Sequence, residues 1–195
     1  MTVGRPLEFD PDVALEAAMK LFWRKSYESS SLQDLLATME LSKSSFYQTF
    51  KSKHVLFQHC VRHYLKTILD DLGTQLKQSR SAKIFINNLF HSIATETIGK
   101  NARRGCLLMN TASEFAQTNA QIAALISNGL DQLTDLFEMA IKQAQQQQDI
   151  SASADSRSLA IYLVSSMSGM KNMVKAGADR ETIKRIAEMT LTAVF

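Results

Sequence analysis

Between Leu41 and Lys53 the chain reads LSKSSFYQTFKSK, with three lysines, four serines, a tyrosine, a glutamine and a threonine and no acidic side chain. Ammonium, hydroxyl and amide groups of this kind bond phosphate oxygens and base edges. A second chemically active residue is Cys106, which follows Arg103-Arg104-Gly105. If it opens a helix, two cations and the helix N-terminus all favour its thiolate, which electrophiles alkylate and oxidants convert to sulfenic acid. The competing reading makes Cys106 a small buried hydrophobe. His59 and His63 stand at i and i+4 on one helix face, but Cys60 points elsewhere, so a solvated face is expected and no metal or other cofactor is assigned.

The elements that must position these groups are helical. Hydrophobic residues make up 45% of the 195, and only 2 prolines and 7 glycines interrupt them, which favours long helices over strands. No apolar run is long enough for a signal peptide or a membrane span, so a cytoplasmic protein is expected. Cys60 and Cys106 are too few for a disulfide framework. Net charge is only +3, yet Leu41 to Lys66 holds Lys43, Lys51, Lys53, Arg62 and Lys66 without one Asp or Glu, so the positive field is local.

Asp10-Pro11 starts the first helix, with a buried stripe of Val13, Ala14, Ala17, Ala18, Leu21 and Phe22 that ends near Ser26. Ser30 and Gln33 have the spacing of a capping box for a short helix carrying Leu32, Leu35 and Leu36. A break at Glu40-Leu41 follows, and Ser42 caps the next helix. A longer helix runs from Lys53 toward Gly73, then come apolar segments at 84–98, 106–115 and 122–144, and a polar end at Gln145 to Gln148. Gly177 and Asp179 separate the last two helices. In the first of these, Leu159 to Val164 is apolar all round, and Ser165, Ser166, Ser168 and Gly169 allow close approach of another helix. In the second, Ile183, Ile186, Ala187, Thr190, Leu191 and Val194 form a stripe. The pair is therefore expected to form a homodimer interface.

On a helix from Ser42 to Phe50, Phe46, Thr49 and Phe50 share one face and Lys43, Ser44, Tyr47 and Gln48 the other. A short helix, a tight break and this second helix make a helix-turn-helix, whose second helix enters the major groove of duplex DNA. Serine and lysine are also common at any solvated helix start.

The ordered match is longer. Ala17-Ala18-x-x-Leu21-Phe22, Tyr27-Glu28-Ser29-Ser30-Ser31-Leu32-x-Asp34-Leu35 and Leu41-Ser42-Lys43-Ser44-Ser45-Phe46-Tyr47-x-x-Phe50-x-Ser52-Lys53-x-x-Leu56 resemble the DNA-binding domain of TetR/AcrR transcriptional regulators. The resemblance implies an all-α fold, with a helix-turn-helix DNA-binding domain at 1–57 and a helical ligand-sensing and dimerisation bundle at 58–195. It also implies that Tyr47 and Lys53 grip phosphates, that Ser30 or Ser31 does so at the preceding helix, and that Lys43, Ser44, Ser45, Gln48 and Thr49 face bases or nearby phosphates. Arg5 would enter a minor groove. The family usually has glycine where this chain has Ser26 and Glu40, both at helix ends where a left-handed backbone is common.

Such regulators repress a double-stranded operator and release it when a small molecule enters the bundle. Phe90, Met109, Phe115, Phe137, Tyr162, Met167 and Met170 are the candidate lining of an apolar inducer pocket, and each is equally readable as core. Some branches resemble this chain in carrying Gly-Cys-Leu, with the cysteine as sensor in certain of them, which points again to Cys106. The competing class is a helical thiol-dependent enzyme using Cys106, for which only His91 offers a histidine partner and no CxxC pair or Gly-rich phosphate loop is present. A helical module binding an acidic protein is a third reading.

Overall fold

The computed structural model describes residues 9–98 and 103–195. Among these, nine α-helices and one 3-10 turn account for the regular structure, in two compact units, Met1–Leu65 and Lys66–Phe195.

In the first unit α1 (Pro11–Lys25) is capped by Asp10, whose carboxylate accepts from the backbone of Asp12 at 2.9 Å. Ala14, Ala18, Leu21 and Phe22 recur at helical spacing and are buried with Met19. Val13, expected in this stripe, is 66% exposed. It sits one position off the buried line in the first turn, and Met19 fills the core instead. α2 (Leu32–Met39) is capped by Ser31, one residue later than the Ser30–Gln33 spacing suggests. The Ser31 hydroxyl accepts from Asp34 N at 3.0 Å, while the Asp34 carboxylate accepts from Ser31 N at 3.1 Å. The short acidic side chain completes the box that glutamine was expected to make. α3 (Lys43–Phe50) is capped by Ser42, as its sequence predicts. α4 (Lys53–Gln78) runs through Gly73, so that glycine stops nothing. Phe22, Phe46 and Phe57 are fully buried, each contributing roughly 1.5–3 kcal/mol of apolar burial.

The second unit holds α5 (Ala82–Ile93), the 3-10 turn Ala94–Thr97, α6 (Leu107–Phe115), α7 (Ala120–Gln146), α8 (Ser156–Ala176) and α9 (Arg180–Val194). α7 packs on α5, α6 and α8, and α8 on α9. The glutamine tract is structural. Gln147 Oε1 accepts from Ala82 N at 3.0 Å, and Gln145 Nε2 donates to the carbonyls of Ser151 and Ala154 at 3.0 and 2.9 Å, which ties down the loop after α7. Gly177 closes α8 with φ 97°, and Asp179 caps α9 by accepting from Thr182 N at 2.7 Å.

Candidate nucleic-acid interface

Two short helices and the turn between them present the basic stretch. α2 ends at Glu40 in a left-handed conformation (φ 55°, ψ 40°), which turns the chain within Glu40–Ser42 and starts α3. Phe46 and Phe50 anchor α3 in the core, and Lys43, Ser44, Tyr47 and Gln48 on the opposite side are exposed. Tyr47 is held edge-on against Phe46, with ring centroids 5.3 Å apart, so its phenol is aimed outward from a fixed base. Lys51 caps α3 with φ 64° and donates from Nζ to the Gln48 carbonyl at 2.8 Å.

Lys53 opens α4, and its Nζ lies 4.2 Å from the centroid of the Tyr27 ring, a cation–π contact. Tyr27 in turn packs on Phe57 at 5.0 Å and Phe22 at 6.0 Å. The residue before it, Ser26, has φ 71° and ψ 168°, a region in which side chains other than glycine are strained. Ser26 and Glu40, the two places where this chain lacks the expected glycines, therefore both hold the positive φ that glycine adopts freely.

Not every predicted contact residue reaches the surface. Ser30 is fully buried and donates its hydroxyl to the Ser26 carbonyl at 2.6 Å, so it braces the loop and offers nothing to a phosphate. The Thr49 hydroxyl is also buried, without a hydrogen-bond partner, because Thr49 turns toward the side of α3 that carries Phe46 and Phe50. Ser31 is exposed but engaged in its capping box, and Ser45 Oγ shares a 2.9 Å hydrogen bond with Ser42 Oγ. Arg5 lies outside the described residues. Lys25 pairs with Asp34 at 3.1 Å, and this cation, with the Ser31 hydroxyl and amide, holds the Asp34 carboxyl below its ordinary range. His63 is not simply solvated. It meets Glu16 of α1 at 3.0 Å, while His59 is exposed, and among the described residues no cluster of His, Cys, Asp or Glu could hold a metal.

In the second unit Cys106 is the N-cap residue of α6 and is buried, at 6% exposure. Lys175 of α8 and Asn110 of α6 lie beside the neighbouring Gly105. Lys175 Nζ donates to Asn110 Oδ1 at 2.7 Å, and Asn110 Nδ2 donates to the Arg104 carbonyl at 3.0 Å. The Arg103 guanidinium lies beside Gly177, 3.5 Å from where a Cβ would stand, at the C-terminal end of α8 where a cation is favoured. Cys60, in the first unit, is fully buried, and burial followed by the Glu16 charge pushes its thiol far up, so it stays protonated.

Residues 86–190 match the family described as Tetracyclin repressor-like, C-terminal domain, and residues 14–60 match Bacterial regulatory proteins, tetR family. The chain belongs to the TetR family. It is a DNA-binding transcriptional repressor and not an enzyme, which removes the thiol-enzyme reading. Among curated TetR-family proteins it is 29% identical to the HTH-type transcriptional repressor ComR of Escherichia coli, over 96% of this chain and 90% of that one. Among solved structures it matches a cysteine mutant of the TetR family transcriptional regulator CifR complexed with 26 bp double-strand operator DNA. That match has TM-score 0.85 and 27% identity and covers 98% of this chain and 100% of the other. The reduced form of E. coli NemR shares the fold, with TM-score 0.85 at 16% identity over 94% and 96% of the two chains. Among the described residues of this TetR-family chain no helix is long and apolar enough to cross a membrane.

The seven residues proposed for an inducer pocket do not share one setting. Phe90, Phe137, Met167 and Met170 are core, and Phe115 is buried at 8% exposure. Met109 lines a groove of about 420 Å³ with Leu130, Ile161 and Val164, whereas Tyr162 and Met170 line a separate one of about 820 Å³ between α8 and α9. Sequence reading missed Tyr27 as the platform under Lys53 and Asp34 as the capping partner. A Ser-x-x-Asp spacing at Ser31 was the available signal for the second; no local pattern signals the first.

Proposed function

We propose that two copies of this chain, joined through α8 and α9, grip a near-palindromic operator by their α3 helices, and that a small apolar ligand or modification of Cys106 releases it. The observation that carries the DNA reading is the exposed side of α3, where Lys43, Ser44, Tyr47 and Gln48 project while Phe46 and Phe50 fix the helix in the core. In this reading Lys53 and Tyr47 contact phosphates, and Ser44 and Gln48 read base edges. Thr49 and Ser30 take no direct part.

The dimer reading is supported by what a lone chain leaves uncovered. Met189 is 73% exposed, and Tyr162 and Met173 are also exposed along the α8–α9 groove. A twofold partner covering them sets two α3 helices roughly 34–36 Å apart, one DNA turn.

Support for a cysteine sensor is the placement of Cys106 at the start of α6, one residue after Gly105, against which the hydrogen-bonded pair Lys175 and Asn110 lies. A related regulator of known structure was studied as a cysteine mutant on its operator. In alkylation the thiol gives its proton to solvent and the sulfur bonds the β-carbon of an activated alkene, whose π electrons then take a proton from solvent. With a peroxide, sulfur takes the distal oxygen to give sulfenic acid, and water or an alcohol leaves. Either product enlarges a packed side chain and loosens the start of α6.

Binding of the purified protein to duplexes selected from a random pool, with and without a thiol-reactive compound, tests the whole scheme. Selective, salt-dependent duplex binding that the compound reverses in wild type and not in Cys106→Ser supports it. Equal binding to single strands contradicts it.

A further inference from the structure

Lysine is a poor fixed contact by itself, because its four-carbon stem is flexible and ordering it opposes binding. Lys53 is unusual in this respect, since its ammonium already rests 4.2 Å from the centroid of an aromatic ring. That ring is itself immobilised. Tyr27 packs on Phe57 at 5.0 Å and Phe22 at 6.0 Å, and it meets the His54 ring edge-on with centroids 6.3 Å apart. Two of these partners, His54 and Phe57, belong to the same helix as Lys53, and Phe22 is a fully buried residue of α1. The strained backbone at Ser26 and the buried Ser30 hydroxyl, bonded to the Ser26 carbonyl at 2.6 Å, hold the loop that carries Tyr27.

We infer that Tyr27 is a positioning residue for DNA binding: its ring pre-orders the Lys53 ammonium for a backbone phosphate without touching DNA itself. An ammonium over a ring face keeps N–H groups free to point away from the ring, so the stacked lysine still donates to a phosphate oxygen. Ordering the stem before DNA arrives removes part of the entropy lost on binding. The inference rests on the reading of Lys53 as a phosphate contact.

A double-mutant cycle on the full-length protein tests it, with operator affinity measured across a salt series. Lys53→Ala weakens binding and lowers the steepness of log K against log salt by roughly 0.9 for each protomer bound. Tyr27→Phe keeps the ring and binds like wild type. Tyr27→Leu binds more weakly by roughly three- to tenfold for each protomer bound, the range expected for releasing one held lysine, and in its background Lys53→Ala has a smaller effect than in wild type. Equal Lys53→Ala effects in both backgrounds overturn the inference while leaving the phosphate contact standing. A Lys53→Ala protein with unchanged affinity and salt slope overturns both. If Tyr27→Leu fails to fold, a series of fluorinated phenylalanines at position 27 keeps the shape and drains the ring face of negative charge. Affinity then falls stepwise with fluorination, and a flat series refutes the inference.

Discussion

Replacing Ser26 by glycine should stabilise the DNA-binding unit, and the structure sets the size of the effect. Ser26 ends α1 with φ 71° and ψ 168°, where a residue carrying a Cβ is strained by about 1–3 kcal/mol. Glycine relieves that strain but adds conformational freedom to the unfolded chain, a loss of about 0.5–1 kcal/mol. The backbone bonds at this site survive the change, since Ser26 N donates to the Phe22 carbonyl at 2.9 Å and the Ser26 carbonyl accepts from Ser30. Only the long contacts of the Ser26 hydroxyl to Ser29, 3.4 and 3.5 Å, disappear. The net gain reaches about 2.5 kcal/mol at most, and each kcal/mol moves the midpoint of a domain this small by about 4–8 °C. Trp23 is the chain's one tryptophan, stands in α1 and packs on Tyr64 at 5.0 Å, so its fluorescence follows this unit during urea or thermal unfolding. Ser26→Ala is the control, keeping the Cβ and losing the hydroxyl, and it should bring no gain. A Ser26→Gly protein destabilised by about 0.5–1 kcal/mol, the plain entropic penalty of glycine, refutes the strain argument.

Glu40→Gly relieves a left-handed residue by about 1–2 kcal/mol before the entropic loss, and because it also removes an exposed acid beside α3 it should tighten operator binding, measured by anisotropy. Asp34→Asn should lower the unfolding midpoint at pH 7. Since Lys25 and Ser31 depress the Asp34 carboxyl in the folded chain, its contribution is present above about pH 4 and fades as pH falls through the depressed value, so wild type and variant converge in acid in a Trp23-monitored titration. Met189→Asp should yield monomers in sedimentation equilibrium and weaken operator binding, the signature of an α8–α9 interface. With limiting iodoacetamide, mass spectrometry should find Cys106 labelled faster than Cys60, whose burial keeps its thiol protonated.

Much of the first unit was readable from the sequence because local rules govern it. The Asp10-Pro11 start, the Ser42 cap and the apolar spacing within α3 each act over a few residues, and the family resemblance, which leads one to expect glycine at Ser26 and Glu40, points to two of the positive-φ positions. Where two signals overlapped, the sequence could not choose. Ser30–Gln33 and Ser31–Asp34 both fit a capping box, and the burial of Ser30, set by tertiary packing, decided for the second. Thr49 shows the same limit at single-residue scale. Its place on the apolar face of α3 follows from helical spacing, and this outranks the resemblance that would turn it toward DNA. The Tyr27–Lys53 pair joins a loop to a helix far along the chain, and no periodicity encodes it. In the second unit the dispersed aromatic and methionine residues told of apolar packing, but which of them line a groove depends on how α6, α7, α8 and α9 meet.

Selection of duplexes from a random pool by wild-type protein, repeated with Gln48→Ala and with a Lys43→Ala/Tyr47→Phe double variant, bears most directly on the α3 face. The account predicts a near-palindrome with half-sites one turn apart, a shifted base preference for Gln48→Ala and a general loss of affinity for the double variant. Enrichment of the same sequences with undiminished affinity by all three proteins contradicts it.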